Sequence, residues 1–241
     1  MFDVMDLRSA LTTTGAIRDF TDEPVDDEVV YQILDAARFS PSGGNRQGWR
    51  VILVHDGPTR GALRDLYRPA WARYLAQTGA GLVPWAPMTD RDAEAAALAS
   101  AGEVPPAGGR SDFTEHLDEV PVLLVLLADL RALAAVDRDH ERYTFAGGAS
   151  VYPFAWSILL AAREHGLGGV ITTMLVQREA EVLRLLGVPA EFALAAVIAL
   201  GHPVRQPRRL RRAPVEDFVT VDRFAGPALT RPAAPDAPTA R

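Results

Sequence analysis

Apolar residues recur at two spacings along the chain, and each spacing predicts a different kind of element. A spacing of three and four residues predicts helices, and it is clearest in residues 26–37 and 148–162. Short, unbroken apolar runs predict buried strands. These runs are residues 49–54, 120–128, 170–173 and 192–200. Because helices and strands alternate only loosely, the pattern predicts an α+β fold with a central mixed β-sheet flanked by helices.

Three further helices are predicted from shorter stretches of helical spacing. The first carries Val4, Leu7 and Leu11 and is expected to be capped by Asp3. The second begins near Thr59 and runs through Tyr74, and the third covers residues 179–186. The glycine-rich segment of residues 166–169 is predicted to end the long helix, since glycine favours the C-cap position.

Composition divides the chain into a domain, an insertion and a tail. Residues 79–110 are rich in Ala, Gly and Pro without a firm period, which is typical of a lid or an insertion. Residues 226–241 are rich in Pro and Ala, which predicts a disordered tail. The rest predicts a single domain over residues 1–225, which ends with a strand or arm at residues 215–224.

Composition and charge exclude several classes of function. The chain has 241 residues, of which 48% are hydrophobic, so a sizeable core is expected. A formal net charge of −6 gives no basic excess for nucleic acid. The absence of cysteine excludes disulfides, thiolate ligands and cysteine nucleophiles. The histidines show no ligand spacing, so no metal site is predicted.

The apolar runs are also too short to predict a membrane span. The longest, residues 120–128, covers only part of the length that a bilayer requires. The first six residues lack the basic and apolar regions of a signal peptide. A cytoplasmic protein without a membrane partner is therefore expected.

One loop between a predicted helix and a predicted strand has the composition of a ligand-binding loop. Pro41, Ser42 and Gly43 offer a backbone without bulk that a flat or charged ligand can approach. Asn45 and Gln47 add amide donors and acceptors. An ordinary helix-to-strand connection can also contain paired glycines, so both interpretations stay open at this point.

Three other segments carry candidate binding residues. Arg18 lies in the connector between the first two helices, where it can bind a phosphate or pair with a nearby acid. Gly168 and Gly169 come shortly before two threonines. The glycines can let the backbone approach a ligand closely, or they can simply precede a strand. Residues 208–212 hold the densest arginine cluster, which predicts a phosphate clamp or a solvated loop.

Together and in this order, these segments resemble the FMN-dependent nitroreductase family. The resemblance covers roughly residues 5–224 and rests on the Arg18 connector, the loop at 37–50, residues 166–169 and residues 201–217. It implies the nitroreductase-like α+β fold in a homodimer with two FMN sites at the interface. It also implies a domain-swapped C-terminal arm that crosses onto the partner subunit.

The resemblance further implies FMN contacts in all four segments. The expected phosphate contacts are Arg18 and Arg212, with Arg209 and Arg211 as helpers. The expected contacts from the loop are Pro41, Ser42 and Gly43 of the partner subunit, with Asn45 and Gln47 at the flavin or ribityl group. The expected contacts near the flavin ring are Gly168, Gly169, Thr172 and Thr173.

The chain departs from the family pattern at two places. The first connector often reads Arg-x-Ser-x-Arg, but here Thr14-Gly15-Ala16-Ile17 precedes Arg18, so one arginine and the serine are missing. Gly48 stands where the family usually has proline before Trp49, which loosens that turn. The first departure is expected to weaken phosphate binding unless the C-terminal arginines compensate.

The activity implied by the resemblance is that of an NAD(P)H-dependent flavin oxidoreductase. FMN would pass electrons from NADH or NADPH to a small-molecule acceptor such as a nitroaromatic or a quinone, in a ping-pong mechanism. No protein acid or base is required, so no catalytic residue is predicted. Tyr67, Trp71 and Tyr74 are predicted to bind substrate, and core or lid packing is the alternative interpretation.

Two other functions stay open. One is reductive dehalogenation of the deiodinase type, or flavin destruction, on the same fold, because Thr172 and Thr173 resemble the deiodinase-like branch. The absence of lysine from residues 79–110 argues against an amino-acid substrate. The other is a non-catalytic flavin-binding module, which the missing arginine and serine of the first connector motivate.

Overall fold

The computed structural model describes residues 5–99, 113–142 and 145–231. Within these ranges the chain forms six α-helices and four β-strands. In chain order they are α1 Leu7–Thr13, α2 Asp27–Ala37, β1 Trp49–Leu53, α3 Gly57–Gly79, α4 Arg91–Ala99, β2 Val122–Asp129, α5 Tyr152–Glu164, β3 Gly168–Thr172, α6 Glu179–Leu185 and β4 Phe192–Gly201. None of the described helices is long and apolar enough to cross a membrane.

Contacts divide the chain into two compact units, Met1–Arg208 and Arg209–Arg241. All the helices and strands named above belong to the first unit. The second unit contains a short helical turn, Val215–Asp217, and an antiparallel bridge between Thr220 and Ala228. A single domain that extends to residue 225 stays a prediction. Within the predicted tail, residues 232–241 lie outside the described residues.

The four strands form one sheet in the order β1-β2-β4-β3. Each neighbouring pair is antiparallel, with a register shift between Leu126 and Leu127 where β2 meets β4. A parallel contribution comes from the connector before α2, where Ala16 forms a single parallel bridge with Gly169 of β3. The predicted α+β class is confirmed, and the sheet is antiparallel in its four strands rather than mixed.

Helices cover both faces of this sheet. On one face, α2 and α5 pack residues such as Ile33 and Ile158 against Leu124. On the other face, α3 packs Leu63 with Leu123. Because side chains alternate along a strand, successive β2 residues serve the two cores in turn, and β2 is buried on both faces.

Aspartates begin the early helices. The Asp6 carboxylate accepts from the Ser9 amide and caps α1, and Asp56 caps α3 by accepting from the Thr59 amide at 2.8 Å. Asp26 precedes α2 as predicted. The predicted cap Asp3 lies outside the described residues.

Three local predictions differ from the structure. Gly168 and Gly169 belong to β3, while Gly166, at a φ of +71°, makes the turn after α5. The alanine-rich part of the predicted insertion, residues 91–99, is helix α4, since alanine has the highest helix propensity. Residues 100–110 of that insertion lie outside the described residues. Residues 215–224 form a turn and a bridge instead of a strand.

Candidate functional site

The connector that carries Arg18 is attached to the edge of the sheet. The Ile17 amide donates to the Gly169 carbonyl at 2.8 Å, and the Val204 amide donates to the Asp19 carbonyl at 3.1 Å. Phe20 forms an antiparallel bridge with Pro203, just after β4. These bonds bring three segments that are distant in sequence to one edge of the sheet.

Packing explains why glycine stands at both positions where β3 begins. A Cβ atom on Gly168 would lie 2.8 Å from Ile17 Cγ1, so glycine lets the connector lie against the strand. A Cβ atom on Gly169 would lie 2.5 Å from Leu200 Cδ2 and 2.6 Å from the Ala199 carbonyl oxygen. Both glycines are buried, and their contact with a flavin ring stays a prediction.

Arg18 is exposed and lines a pocket of about 510 Å³. The segment before β2 also lines this pocket, through Phe113, His116 and Glu119. Among the described residues, no hydrogen bond or ion pair engages the Arg18 guanidinium. A guanidinium can bind an anion such as a phosphate through two parallel hydrogen bonds, although Asp19, Asp22 and Glu119 also line this pocket.

Thr14 occupies the position where the family often has the first arginine of the connector. Its side chain is only 4% exposed, and its hydroxyl has no hydrogen-bond partner among the residues that the structure describes. A buried threonine cannot supply the missing positive charge.

Tyr67 and Thr172 form a buried hydroxyl pair beside the connector. Tyr67 Oη lies 3.0 Å from Thr172 Oγ1, and Tyr67 is 2% exposed. Burial raises the pKa of the Tyr67 phenol, while the bond to Thr172 and the charge of Arg18 act in the opposite direction. Tyr67 also packs edge-on against Phe113, so the structure places it in the core, as the packing interpretation expected.

Trp71 and Tyr74 lie further along α3 and are half-buried. Their rings stack at 4.8 Å with 6° between the planes, and Trp85 adds a third ring 6.2 Å from Tyr74. We call Trp71, Tyr74 and Trp85 the aromatic cluster. Buried Gln77 fixes the loop of Trp85, because its Oε1 accepts from the Trp85 amide at 2.9 Å.

The loop of residues 40–47 is anchored to α5 and the turn before it. The buried Ser40 hydroxyl is 2.8 Å from Ser157 Oγ, and the Gly43 amide donates to Ser150 Oγ at 3.0 Å. Ser42 Oγ accepts from the Gln47 amide at 3.0 Å and closes the loop. Ser150 and Ser157 carry no motif in the sequence, so sequence reasoning did not identify them as supports of this loop.

Asn45 and Gln47 adopt left-handed backbone conformations, with φ of 51° and 50°. Such values are uncommon outside glycine, and they concentrate at functional sites. Gln47 Nε2 donates to Asn45 Oδ1 at 3.2 Å, so the two exposed amides are held together. Asn45 Nδ2 and Gln47 Oε1 stay available for a ligand.

Gly48, the other departure from the family pattern, has a packing reason. A Cβ atom at this position would lie 2.8 Å from the Ala132 Cβ atom, in the turn after β2. Proline would place further ring atoms there. The glycine therefore fits the close approach of this turn to the start of β1.

The C-terminal arginines belong to the second unit. Arg209, Arg211 and Arg212 are exposed, and Arg212 Nη1 donates to the Arg211 carbonyl at 2.7 Å. Arg208 is the last residue of the first unit. Their role at a phosphate stays a prediction.

The structure brings some predicted site residues together and leaves others apart. Arg18, Thr172 and the two β3 glycines share one edge of the sheet, and Thr173 follows as an exposed residue. Over the described part of the chain, no hydrogen bond, ion pair or pocket joins the loop of residues 40–47 to Arg18. Within one chain the predicted site is thus in two parts.

The donor groups that are present fit FMN. An unpaired guanidinium matches the phosphate, and hydroxyl and amide groups match the carbonyl and ribityl oxygens of the cofactor. Among the described residues, no cluster of His, Asp or Glu is arranged to hold a metal ion. The site therefore has the chemistry expected for an anionic, flat organic cofactor.

Comparisons with known proteins agree with this donor set. The model of the "Nitroreductase family" matches residues 12–202. The chain is 31% identical over 217 residues to an NADH dehydrogenase of Thermus thermophilus, which covers 90% of this chain and 96% of the relative. It is 30% identical over 210 residues to a 5,6-dimethylbenzimidazole synthase of Rhodospirillum rubrum, which covers 80% of this chain and 82% of that protein.

A solved structure shows the same fold. The crystal structure of nitroreductase A from Vibrio parahaemolyticus superposes with a TM-score of 0.62 at 22% identity, covering 92% of this chain and 77% of that one. The chain belongs to the nitroreductase family. This confirms the predicted class, an NAD(P)H-dependent flavin oxidoreductase that uses FMN.

Proposed function

We propose that this protein transfers electrons from NADH or NADPH, through FMN, to nitroaromatic, quinone or similar small-molecule acceptors. The observation that carries the proposal is Arg18, whose connector is bonded to β3 at Gly169 and whose guanidinium has no partner among the described residues. Donor and acceptor use the same face in turn, which gives ping-pong kinetics. FMN supplies the hydride and electron chemistry when bound.

The residues of this chain bind and orient the cofactor in this proposal. Arg18 binds the phosphate. The exposed Arg212, with Arg209 and Arg211 as helpers, is the phosphate contact that the family resemblance implies for the second unit. Thr173, directly after β3, is proposed to contact the flavin ring, as are Gly168 and Gly169, whereas the buried Thr172 supports the end of the strand. No side chain is assigned a proton-transfer role.

The second part of the site comes from a second copy of the chain in this proposal. Asn45 and Gln47 present their amides at the surface, and their loop has no bond to Arg18 in its own chain. A homodimer would bring the loop of one subunit, with Pro41, Ser42 and Gly43, to the Arg18 edge of the other. The C-terminal arm would cross onto the partner, and mass measurement in solution tests the dimer.

The aromatic cluster is the proposed surface for the acceptor. Trp71 and Tyr74 are half-buried and stacked, and Trp85 extends the cluster beyond α3. Flat aromatic acceptors gain both apolar burial and ring stacking against such a surface. The ring of Tyr67 is buried, so in this proposal Tyr67 packs in the core and does not contact the acceptor.

An absorbance spectrum followed by an anaerobic titration tests the proposed function. The purified protein, or the protein after incubation with FMN, should show flavin absorbance that bleaches when NADH or NADPH is added. Initial rates with a quinone should give the parallel double-reciprocal lines of a ping-pong mechanism. A protein that does not bind FMN defeats the proposal, and binding without NAD(P)H oxidation favours the non-catalytic module.

Flavin destruction is a second candidate, because a relative at 30% identity is named 5,6-dimethylbenzimidazole synthase. The FMN-loaded protein can be incubated with NADPH in air and the products analysed by mass spectrometry. Formation of 5,6-dimethylbenzimidazole would establish this candidate, whereas recovery of intact FMN would exclude it. Intact FMN together with steady acceptor reduction supports the first proposal.

A further inference from the structure

The Tyr67 hydroxyl is a buried polar group for which packing alone gives no reason. Tyr67 is 2% exposed and packs edge-on against Phe113, at a centroid distance of 5.9 Å. Phenylalanine would make the same ring contacts without the penalty of burying a hydroxyl. In the described part of the chain, the hydrogen-bond partner of this hydroxyl is Thr172 Oγ1, at 3.0 Å.

Thr172 links this bond to the exposed end of β3. It is the last residue of the strand and is 6% exposed, whereas the next residue, Thr173, is exposed. Thr173 follows directly after the strand, at the start of the next turn, so the conformation of Thr172 sets where the Thr173 backbone begins. The Met174 amide also lies 3.5 Å from Thr172 Oγ1, at the start of the turn Met174–Arg178.

We propose that Tyr67 is a positioning residue, which holds the end of β3 through Thr172 and thereby fixes Thr173 against the FMN ring. The inference rests on the proposed function, because it takes Thr173 as a flavin contact. Tyr67 does not touch the cofactor. Its hydroxyl holds the Thr172 side chain from within the core, and this bond keeps the end of β3 in place.

Arg18 lies in the same neighbourhood, since its charge acts on the Tyr67 phenol. The shared neighbour is Phe113, which packs on Tyr67 and lines the same pocket as Arg18. A hydrogen bond that is shielded from water holds its geometry better than an exposed one.

The test is a double-mutant cycle with Tyr67→Phe, Thr172→Val and the combined variant, in the full-length protein. FMN affinity is measured by fluorescence titration, and the reduction potential of bound FMN by equilibration with a reference dye. Each single substitution should raise the FMN dissociation constant about three- to tenfold. The double variant should bind FMN no more weakly than either single variant, because the two substitutions remove the same hydrogen bond.

Two measurements separate positioning from general stability. Thr172→Ser, which keeps the hydroxyl, should restore most of the affinity lost in Thr172→Val. The reduction potential should shift in Tyr67→Phe, since a threefold difference between the effects on the two redox forms corresponds to about 14 mV for two electrons. The matched control is Tyr31→Phe, which removes an exposed phenol hydroxyl on α2.

The outcomes distinguish this inference from the function on which it rests. If Tyr67→Phe lowers only the melting temperature of the FMN-free protein, with affinity and potential unchanged, the positioning role is overturned. Additive losses in the double variant overturn it as well. If the wild-type protein does not bind FMN, both the inference and the proposed function fail.

Discussion

The indole of Trp49 and the ring of Phe154 stack with their centroids 4.6 Å apart and 5° between their planes. Trp49 is the first residue of β1 and follows the loop of residues 40–47 after Gly48, and Phe154 lies in the first turn of α5. The same helix carries Ser157, which bonds the other end of the loop through Ser40. Both ends of the loop are therefore attached to α5.

Replacing Phe154 by leucine should lower the free energy of unfolding by about 1–3 kcal/mol, because it removes the stacked ring and leaves unfilled volume. Urea denaturation measures this loss. The attached loop should also become less ordered, which a faster proteolytic cleavage between residues 40 and 48 would show. Phe145→Leu is the control, since Phe145 is exposed and should change stability by less than about 0.5 kcal/mol.

Replacing Arg18 by alanine should cost about 1–3 kcal/mol of FMN binding free energy, the range of a charge-assisted contact. Arg18→Lys should lose less, because it keeps the charge but not the two-pronged geometry. Fluorescence titration at low and high salt measures both variants, and the wild-type advantage should shrink at high salt.

Arg184→Ala is the charge-matched control for Arg18, since Arg184 is exposed on α6. It removes one positive charge away from the sheet edge and should leave FMN affinity unchanged. Equal losses in the two variants would assign the effect to net charge and not to a phosphate contact. Arg212→Ala, tested in the same way, measures the contribution of the C-terminal cluster.

Gly169→Ala should destabilise the protein by about 1–3 kcal/mol, since the added methyl group overlaps the Leu200 side chain and the Ala199 carbonyl oxygen. Thermal and urea unfolding of the FMN-free protein measure the change. Gly61→Ala is the opposite case, because nothing lies within 4 Å of a Cβ atom there. Because Gly61 lies in helix α3, the alanine should raise the free energy of unfolding by about 0.4–1 kcal/mol. A neutral Gly169→Ala would contradict the packing reason for this glycine.

Asp129 should titrate well below an ordinary aspartate. Hydrogen bonds from Arg131 lower the pKa of the Asp129 carboxyl from 3.8 to about 2. A lowered folded-state pKa contributes stability above pH 4, which is lost as the pH falls from about 4 to about 2. Carboxyl NMR should show the low pKa, and Arg131→Ala should raise it toward the ordinary value. Arg138→Ala, at another exposed arginine, should leave it unchanged.

Local patterns predicted the helices with one buried face and the strands with continuous apolar runs. Val30 and Ile33 repeat at helical spacing and are buried in α2, and the apolar runs of β2 and β4 became the central strands. Helix α4 was missed because alanine is mildly apolar at every position and gives no periodic contrast. Gly168 and Gly169 were misplaced because their strand conformation depends on pairing with β4, which is distant in the sequence.

The sequence offers candidate site residues but not their supports. Arg18, Asn45 and Gln47 are singled out because, in this order, they resemble the nitroreductase family, and their contacts with FMN stay a prediction. The hydrogen bond between Tyr67 and Thr172 could not be predicted, because the two residues lie 105 positions apart and share no sequence motif. The positive φ values of Asn45 and Gln47 could not be predicted either, because they accompany the closure of the loop by Ser42 and no sequence pattern marks them.

The pairing of Ala16 with Gly169, and of Phe20 with Pro203, has a consequence for synthesis of the protein on the ribosome. The segment that carries Arg18 is among the first to leave the exit tunnel, but its bonding partners are made near the end of translation. Contacts between distant residues form slowly because they must close long loops. The Arg18 edge therefore forms only after β4 has emerged, and the proposed FMN contact of Arg18 cannot form on the nascent chain before then.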